Sequence, residues 1–128
     1  MVVNQLQPQP KTTNNISISP KKFLKMLRLF GFSDIRGEVY LEWAKSLLNA
    51  NRKRRLILKP RGTFKSSFYT VGYAILRLLQ NPNMRIMIAH AVENSAKNYL
   101  KQIKNILLQY ELFKPGDIWN KTEIEIEV

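Results

Sequence analysis

Residues 55–91 read, in order, as strand, tight connector, helix, breaker and strand, and few folds accept that succession. "RLILK" (55–59) is a short apolar run rich in branched residues, which predicts a strand buried on both faces. "PRGTFK" follows as a turn-like connector. "SSFYTVGYAILRLLQ" (66–80) has helical spacing that turns Phe68, Val71, Ile75 and Leu78 or Leu79 inward. "NPN" (81–83) ends that helix, and "RIMIAHA" (85–91) predicts a second buried strand. A long helix follows over "VENSAKNYLKQIKNILLQY", with Ala96, Leu100, Ile103 and Leu107 on its inner face. This is a βαβ unit, for which a parallel sheet with right-handed crossovers is the economical arrangement. The closing "TEIEIEV" alternates strictly, with Ile124, Ile126 and Val128 on one face and glutamates on the other. A domain that stops inside such a strand is expected to be incomplete at its C-terminus.

Upstream, residues 1–18 are rich in Gln, Pro, Asn and Thr without a sustained period and predict a flexible arm. Ser19-Pro20 is a helix start, serine as cap and proline in the first turn. That helix sets Phe23, Leu24, Leu27 and Phe30 on one face and stops at Gly31. Lys21, Lys22, Lys25 and Arg28 take the remaining surface, as a solvated face or a contact for DNA or a protein. A second helix is expected from Ser33 or Asp34 onward, burying Val39, Trp43, Leu47 and Leu48. The four cations at 52–55 read as a loop leading into the strand; nuclear import signals share that composition. The expected organisation is therefore an arm (1–18), helices (19–50) and an α/β core (51–128).

The chain of 128 residues carries 21 Lys and Arg against 9 Asp and Glu, for a net charge of +12. The excess is uneven: residues 1–110 hold 19 cations and 4 acids, and residues 111–128 hold 2 and 5. A body this basic attracts polyanions such as nucleic acid, nucleotides or anionic lipid, or simply has a soluble basic surface. With no cysteine, disulfides, thiolate metal sites and thiol catalysis are excluded, and a lone histidine makes zinc binding improbable. No apolar run reaches the length of a membrane span, and the N-terminus has no signal-peptide apolar region.

The connector raises the question of chemistry. Laid over the phosphate-loop pattern G-x-x-x-x-G-K-[ST], only Lys65 and Ser66 match, while Lys59 and Phe64 stand where glycines belong. A phosphate loop needs a strand to fix its origin, backbone N–H groups aimed at the anion, and a following helix whose N-terminal dipole favours negative charge. Each part is present here. Without an anion, Arg61 and Lys65 in so tight a turn repel each other. If Phe64 must adopt a positive φ, it costs about 1–2 kcal/mol. One charge-assisted hydrogen bond contributes about 1.5–3 kcal/mol, so several outweigh that strain. An ordinary basic turn between strand and helix is the alternative.

"LILKPRGTFKSS", the helix after it and "NPNMRIMIAHAVENSAKNYLKQIKNIL" resemble the N-terminal ATPase domain of large terminase subunits, the DNA-packaging motors of tailed bacteriophages. That family carries a deviant Walker A motif of the form P-R-G-x-x-K-[ST]. "DIWNKTEIEIEV" resembles the tryptophan-plus-strand segment that follows in such proteins, and the likeness spans roughly residues 36–128. It implies a P-loop NTPase-like three-layer α/β/α sandwich with a mostly parallel sheet. ATP and Mg²⁺ are the implied cofactors. The implied partners are double-stranded DNA, the portal protein and the small terminase subunit, with a homo-oligomeric ring in the full-length protein and no membrane. The implied compartment is the host cytoplasm. Phe64 departs from the glycine most members carry before the lysine. The family's acidic Walker B pair has no counterpart, because no Asp-Asp or Asp-Glu pair occurs in the chain. Nucleotide binding with little hydrolysis is therefore expected.

By this resemblance Lys65 contacts the β- and γ-phosphates, and Arg61 senses the γ-phosphate or stabilises transferring charge. Ser66 ligates Mg²⁺, with Ser67 as a further hydroxyl, although capping of the helix explains Ser66 as well. Pro60, Gly62, Thr63 and Phe64 complete the loop, the last three offering backbone amides. Tyr40 falls where such ATPases place residues near the adenine, while Trp43 reads chiefly as core. His90, Glu93, Asn94 and Ser95 lie at a strand end that touches nucleic acid in helicase-like motors, or form a helix cap. A basic nucleic-acid-binding module, with 52–61 contacting phosphates non-specifically, and a helicase-like fragment are the competing functions.

Overall fold

A computed structural model describes residues 2–4, 18–49, 51 and 53–127 of the chain. It is a mixed structure of helices and small sheets, divided into two compact units. One is Ser17–Phe68; the other runs from Tyr69 onward and includes the strand near the N-terminus.

In the first unit α1 spans Pro20–Leu29 and α2 spans Glu38–Leu47. The α1 start follows the sequence rule: the Ser19 hydroxyl accepts from the Lys22 amide at 3.3 Å, with proline in the first turn. Its buried face is Phe23, Leu24 and Leu27, as the spacing predicts. Helix α2 begins later than expected, at Glu38, because Gly37 with φ +100° breaks the backbone before it. Its buried residues are Trp43, Ala44 and Leu47, and Val39 is 63% exposed where the sequence predicted burial. Phe68 closes the core, edge-on to Phe23 at 5.2 Å and to Trp43 at 5.6 Å between ring centroids. Such pairs add about 0.5–1.5 kcal/mol each beyond area burial.

The segment 53–59 departs from expectation. Leu56 and Leu58 are 85% and 80% exposed, and these residues join no ladder. Apolarity alone does not make a strand, because a ladder needs a partner strand, and this segment pairs with none among the described residues.

The helix after the connector opens as a π-helical segment, Ser66–Gly72, and continues as α3, Tyr73–Gln80. In the second unit β2 (Arg85–Met87) pairs antiparallel with β1 (Val2–Asn4), Val3 opposite Ile86. Residues 2–4 therefore form a strand where the sequence suggested an irregular arm; the remainder of the arm up to residue 17 lies outside the described residues. Helix α4 spans Glu93–Gln109 and buries Ile103, Ile106 and Leu107. Its predicted inward residues Ala96 and Leu100 are half-buried. Strands β3 (Lys114–Trp119) and β4 (Ile124–Glu127) form an antiparallel hairpin with an irregularity between Pro115 and Trp119. Gly116 is required there, since a Cβ would sit 3.0 Å from the Glu125 Cβ. Asn120 builds the turn, its Oδ1 accepting from the amides of Thr122 and Glu123 at 2.8 Å each.

Both ladders are two-stranded and antiparallel, so the parallel pairing expected between 55–59 and 85–91 is not formed. Strand β2 pairs with β1, and 55–59 pairs with no strand among the described residues. Among the described residues, no helix is long and apolar enough to cross a membrane.

Candidate functional site: the Lys59–Ser67 loop

Three carbonyls of this connector are held by side chains. Lys65 reaches back across the turn, its Nζ donating to the Lys59 carbonyl at 3.1 Å. The Thr63 hydroxyl donates to the Pro60 carbonyl at 2.7 Å. The Tyr40 hydroxyl, on α2, donates to the Thr63 carbonyl at 2.8 Å. In a planar trans peptide the C=O and the following N–H point in opposite directions. Holding the Pro60 and Thr63 oxygens therefore fixes the direction of the Arg61 and Phe64 amides.

The backbone bends as the chemistry requires. Gly62 has φ +75° and Phe64 has φ +59°, so the non-glycine before the lysine sits in the left-handed region. That conformation costs Phe64 about 1–2 kcal/mol, and its ring is 46% exposed, so burial offsets little of it. Among the described residues the amides of Gly62, Thr63, Phe64 and Lys65 donate to no protein acceptor. The first closure of the following helix is the Phe68 amide to the Phe64 carbonyl at 2.9 Å.

The electrostatics are one-sided. From Trp43 to Val92 the chain carries no acidic residue. Arg61 and Lys65 are exposed, and Ser66 and Ser67 are half-buried at the helix start. Among the described residues neither Arg61 nor Lys65 forms an ion pair, and an anion suits the charge of this turn.

Tyr40 and Trp43 do gather near the loop. Their rings meet edge-on at 4.9 Å, and the Lys59 ammonium lies 4.7 Å from the Trp43 centroid. Trp43 is core, as its spacing suggests, and the Tyr40 hydroxyl is engaged by the loop backbone. Lys59 and Arg55 are contributors that sequence reading missed. The Arg55 guanidinium donates to the Leu47 carbonyl and, at 2.5 Å, to the Asn49 carbonyl, closing the C-terminal end of α2. Nothing in the cation run 52–55 distinguishes that arginine from its neighbours.

His90, Glu93, Asn94 and Ser95 belong to the second unit. His90 Nδ1 accepts from the Val92 amide at 2.9 Å, and Glu93 pairs with Lys97 at 2.7 Å on the surface of α4. The Lys97 ammonium lowers the Glu93 carboxyl below its usual range, first through their hydrogen bond. The N-cap of α4 is Val92, with no side-chain capping hydrogen bond, so these residues do not form the expected polar cap. Among the described residues no cluster of three or more His, Cys, Asp or Glu side chains is placed to hold a metal ion. Comparison with protein-family models, curated proteins and solved structures finds no match to this chain.

Proposed function

We infer that this chain binds a nucleoside triphosphate through the Lys59–Ser67 loop and acts as the nucleotide-binding part of a DNA-packaging motor of the large-terminase kind. The observation that carries the reading is the left-handed Phe64, with four successive amides lacking protein acceptors and the Lys65 ammonium drawn across the turn. The donor set suits a triphosphate: backbone N–H groups, the ammonium and the Arg61 guanidinium, with no carboxylate nearby in sequence. ATP fits these residues, its phosphates accepting from Gly62–Lys65 and its γ-phosphate facing Arg61. Mg²⁺, which when bound neutralises phosphate charge, would take the Ser66 hydroxyl as its protein ligand. Lys65 then releases the Lys59 carbonyl in exchange for phosphate oxygens.

Tyr40 is assigned to positioning, because its hydroxyl sets the Thr63–Phe64 peptide. The architecture belonging to this function is the three-layer P-loop sandwich, in which Leu56–Lys59 takes a place within a sheet. Double-stranded DNA, a portal protein and a small terminase subunit are the partners of such a motor, and a host cytoplasm is its setting. None of the 9 acidic residues adjoins another, so the chain has no paired carboxylates to orient water, and we expect binding without appreciable turnover.

Mg-ATP should raise the melting temperature of the full chain, and Lys65→Ala should abolish the rise. At a ligand concentration of 100 times Kd, linkage contributes about 2.7 kcal/mol. Equal stabilisation of both proteins would remove the assignment. The acid-free run from Trp43 to Val92 favours a second reading, a basic module that holds nucleic-acid phosphates. In that case Lys65→Ala leaves DNA affinity nearly unchanged, and DNA binding falls steeply with salt.

A further inference from the structure

The segment Leu56–Lys59 combines two features that rarely coexist on a protein surface. Its apolar side chains face solvent, Leu56 and Leu58 almost completely and Ile57 by 38%. Its backbone amides donate to no protein acceptor among the described residues. An unpaired apolar segment with free amides can add to the open edge of a strand. Its inward face is committed: Arg55 holds the end of α2 and Lys59 lies on Trp43. The outward face is Leu56 and Leu58, with exposed Arg54 at its start.

The complementary edge is present in the second unit. Among the described residues strand β4 pairs only with β3, which leaves its other edge open. That edge borders a groove of about 910 Å³ whose lining includes Ala74, Leu78, Leu100, Ile103, Ile124 and Ile126. The strand alternates half-buried isoleucine with exposed glutamate, and it belongs to the acidic end of the chain, where residues 111–128 hold 5 acids and 2 cations. The segment 53–61 holds five cations and no acid.

We propose that Leu56–Lys59 of one copy adds as a strand to the open edge of β4 in a second copy, lying in this groove. The pairing is antiparallel, the geometry with the better-aligned hydrogen bonds. Setting Leu58 opposite Ile124 and Leu56 opposite Ile126 also sets Lys59 opposite Glu123 and Ile57 opposite Glu125. Apolar residues then meet across the strands on one face, and on the other Lys59 exchanges its place over Trp43 for Glu123 while Ile57 faces Glu125. Main-chain hydrogen bonds supply affinity, and the alternation supplies register. The pairing uses neither the loop amides nor Lys65, so it stands or falls separately from nucleotide binding.

The absence of cysteine permits a direct test. Leu58→Cys and Ile124→Cys are made as separate single variants, each checked for folding by circular dichroism, and mixed under mild oxidation. Pairing predicts that a disulfide-linked heterodimer dominates over both homodimers, and that Glu123→Lys in the Ile124→Cys partner lowers its yield at least threefold. Wild-type protein should show concentration-dependent self-association by sedimentation velocity, weakened in Leu56→Lys. A wild type that stays monomeric to about 100 μM, or cross-linking no greater for the mixture than for either variant alone, overturns the proposal. Should a cysteine variant fail to fold, sedimentation of the wild type and of Leu56→Lys decides it alone.

Discussion

The hydroxyl of Tyr40 donates to the carbonyl oxygen of Thr63 at 2.8 Å, joining α2 to a loop 23 residues further along the chain. A single bond thus couples the placement of a helix to the direction of one peptide plane. Replacing Tyr40 by Phe keeps the ring contacts with Trp43 and Phe68 and removes only this bond. The expected loss of stability is about 0.5–1.5 kcal/mol, read from the denaturant midpoint at constant slope. Mg-ATP affinity should fall more than that modest change suggests, because the Phe64 amide loses its orientation. An unchanged affinity in titration calorimetry would assign Tyr40 a packing role only.

Phe64 holds a positive φ with an exposed ring, so its conformation is a net cost to the folded state. Phe64→Gly should therefore raise stability by about 1 kcal/mol, whereas Phe64→Ala, which retains the Cβ, should not. Differential scanning calorimetry of the two variants checks the difference. If both stabilise equally, the ring and not the backbone is the source of strain.

Phe68 is fully buried between Phe23 and Trp43. Truncation to alanine deletes two edge-on ring contacts and leaves a cavity, with an expected cost of about 3–5 kcal/mol. In a chain of this size that is a large share of total stability. Loss of the cooperative unfolding transition is a compatible result, and a midpoint close to that of the wild type is not.

Arg55 closes the end of α2 with two carbonyl contacts while its Nε is buried without a partner. Arg55→Ala should cost about 1–2 kcal/mol. The neighbouring Arg54→Ala, on an exposed side chain, should stay within about 0.5 kcal/mol. Urea denaturation of the pair separates a structural arginine from a solvated one in the same cation run.

Much of the helical layout was readable in the residues themselves. Ser19-Pro20, the 3–4 spacing of Phe23, Leu24 and Leu27, and the break at "NPN" all act over one or two turns, and the structure agrees with each. The Phe64 backbone was readable as a condition: if the phosphate-loop pattern applies, the residue at its second glycine position takes a positive φ, and Phe64 has φ +59°. Two local details were not readable. Nothing adjacent in sequence indicates that Val39 turns outward, and nothing in a row of four cations selects Arg55 as the one that closes α2.

The strands mark the boundary between what each level decides. By itself the sequence indicated extended segments at 55–59, 85–91 and 122–128 and which of their residues are apolar, and the structure places strands at 85–87 and 124–127. Only the tertiary structure decided their partners: β2 with the N-terminal β1, β4 with β3, and Leu56–Lys59 with none among the described residues. The reason is the range of the hydrogen bonds. A helix satisfies its backbone within four or five residues, so local sequence is sufficient. A strand satisfies its backbone on another segment, and the choice among available edges depends on the packing of the whole molecule.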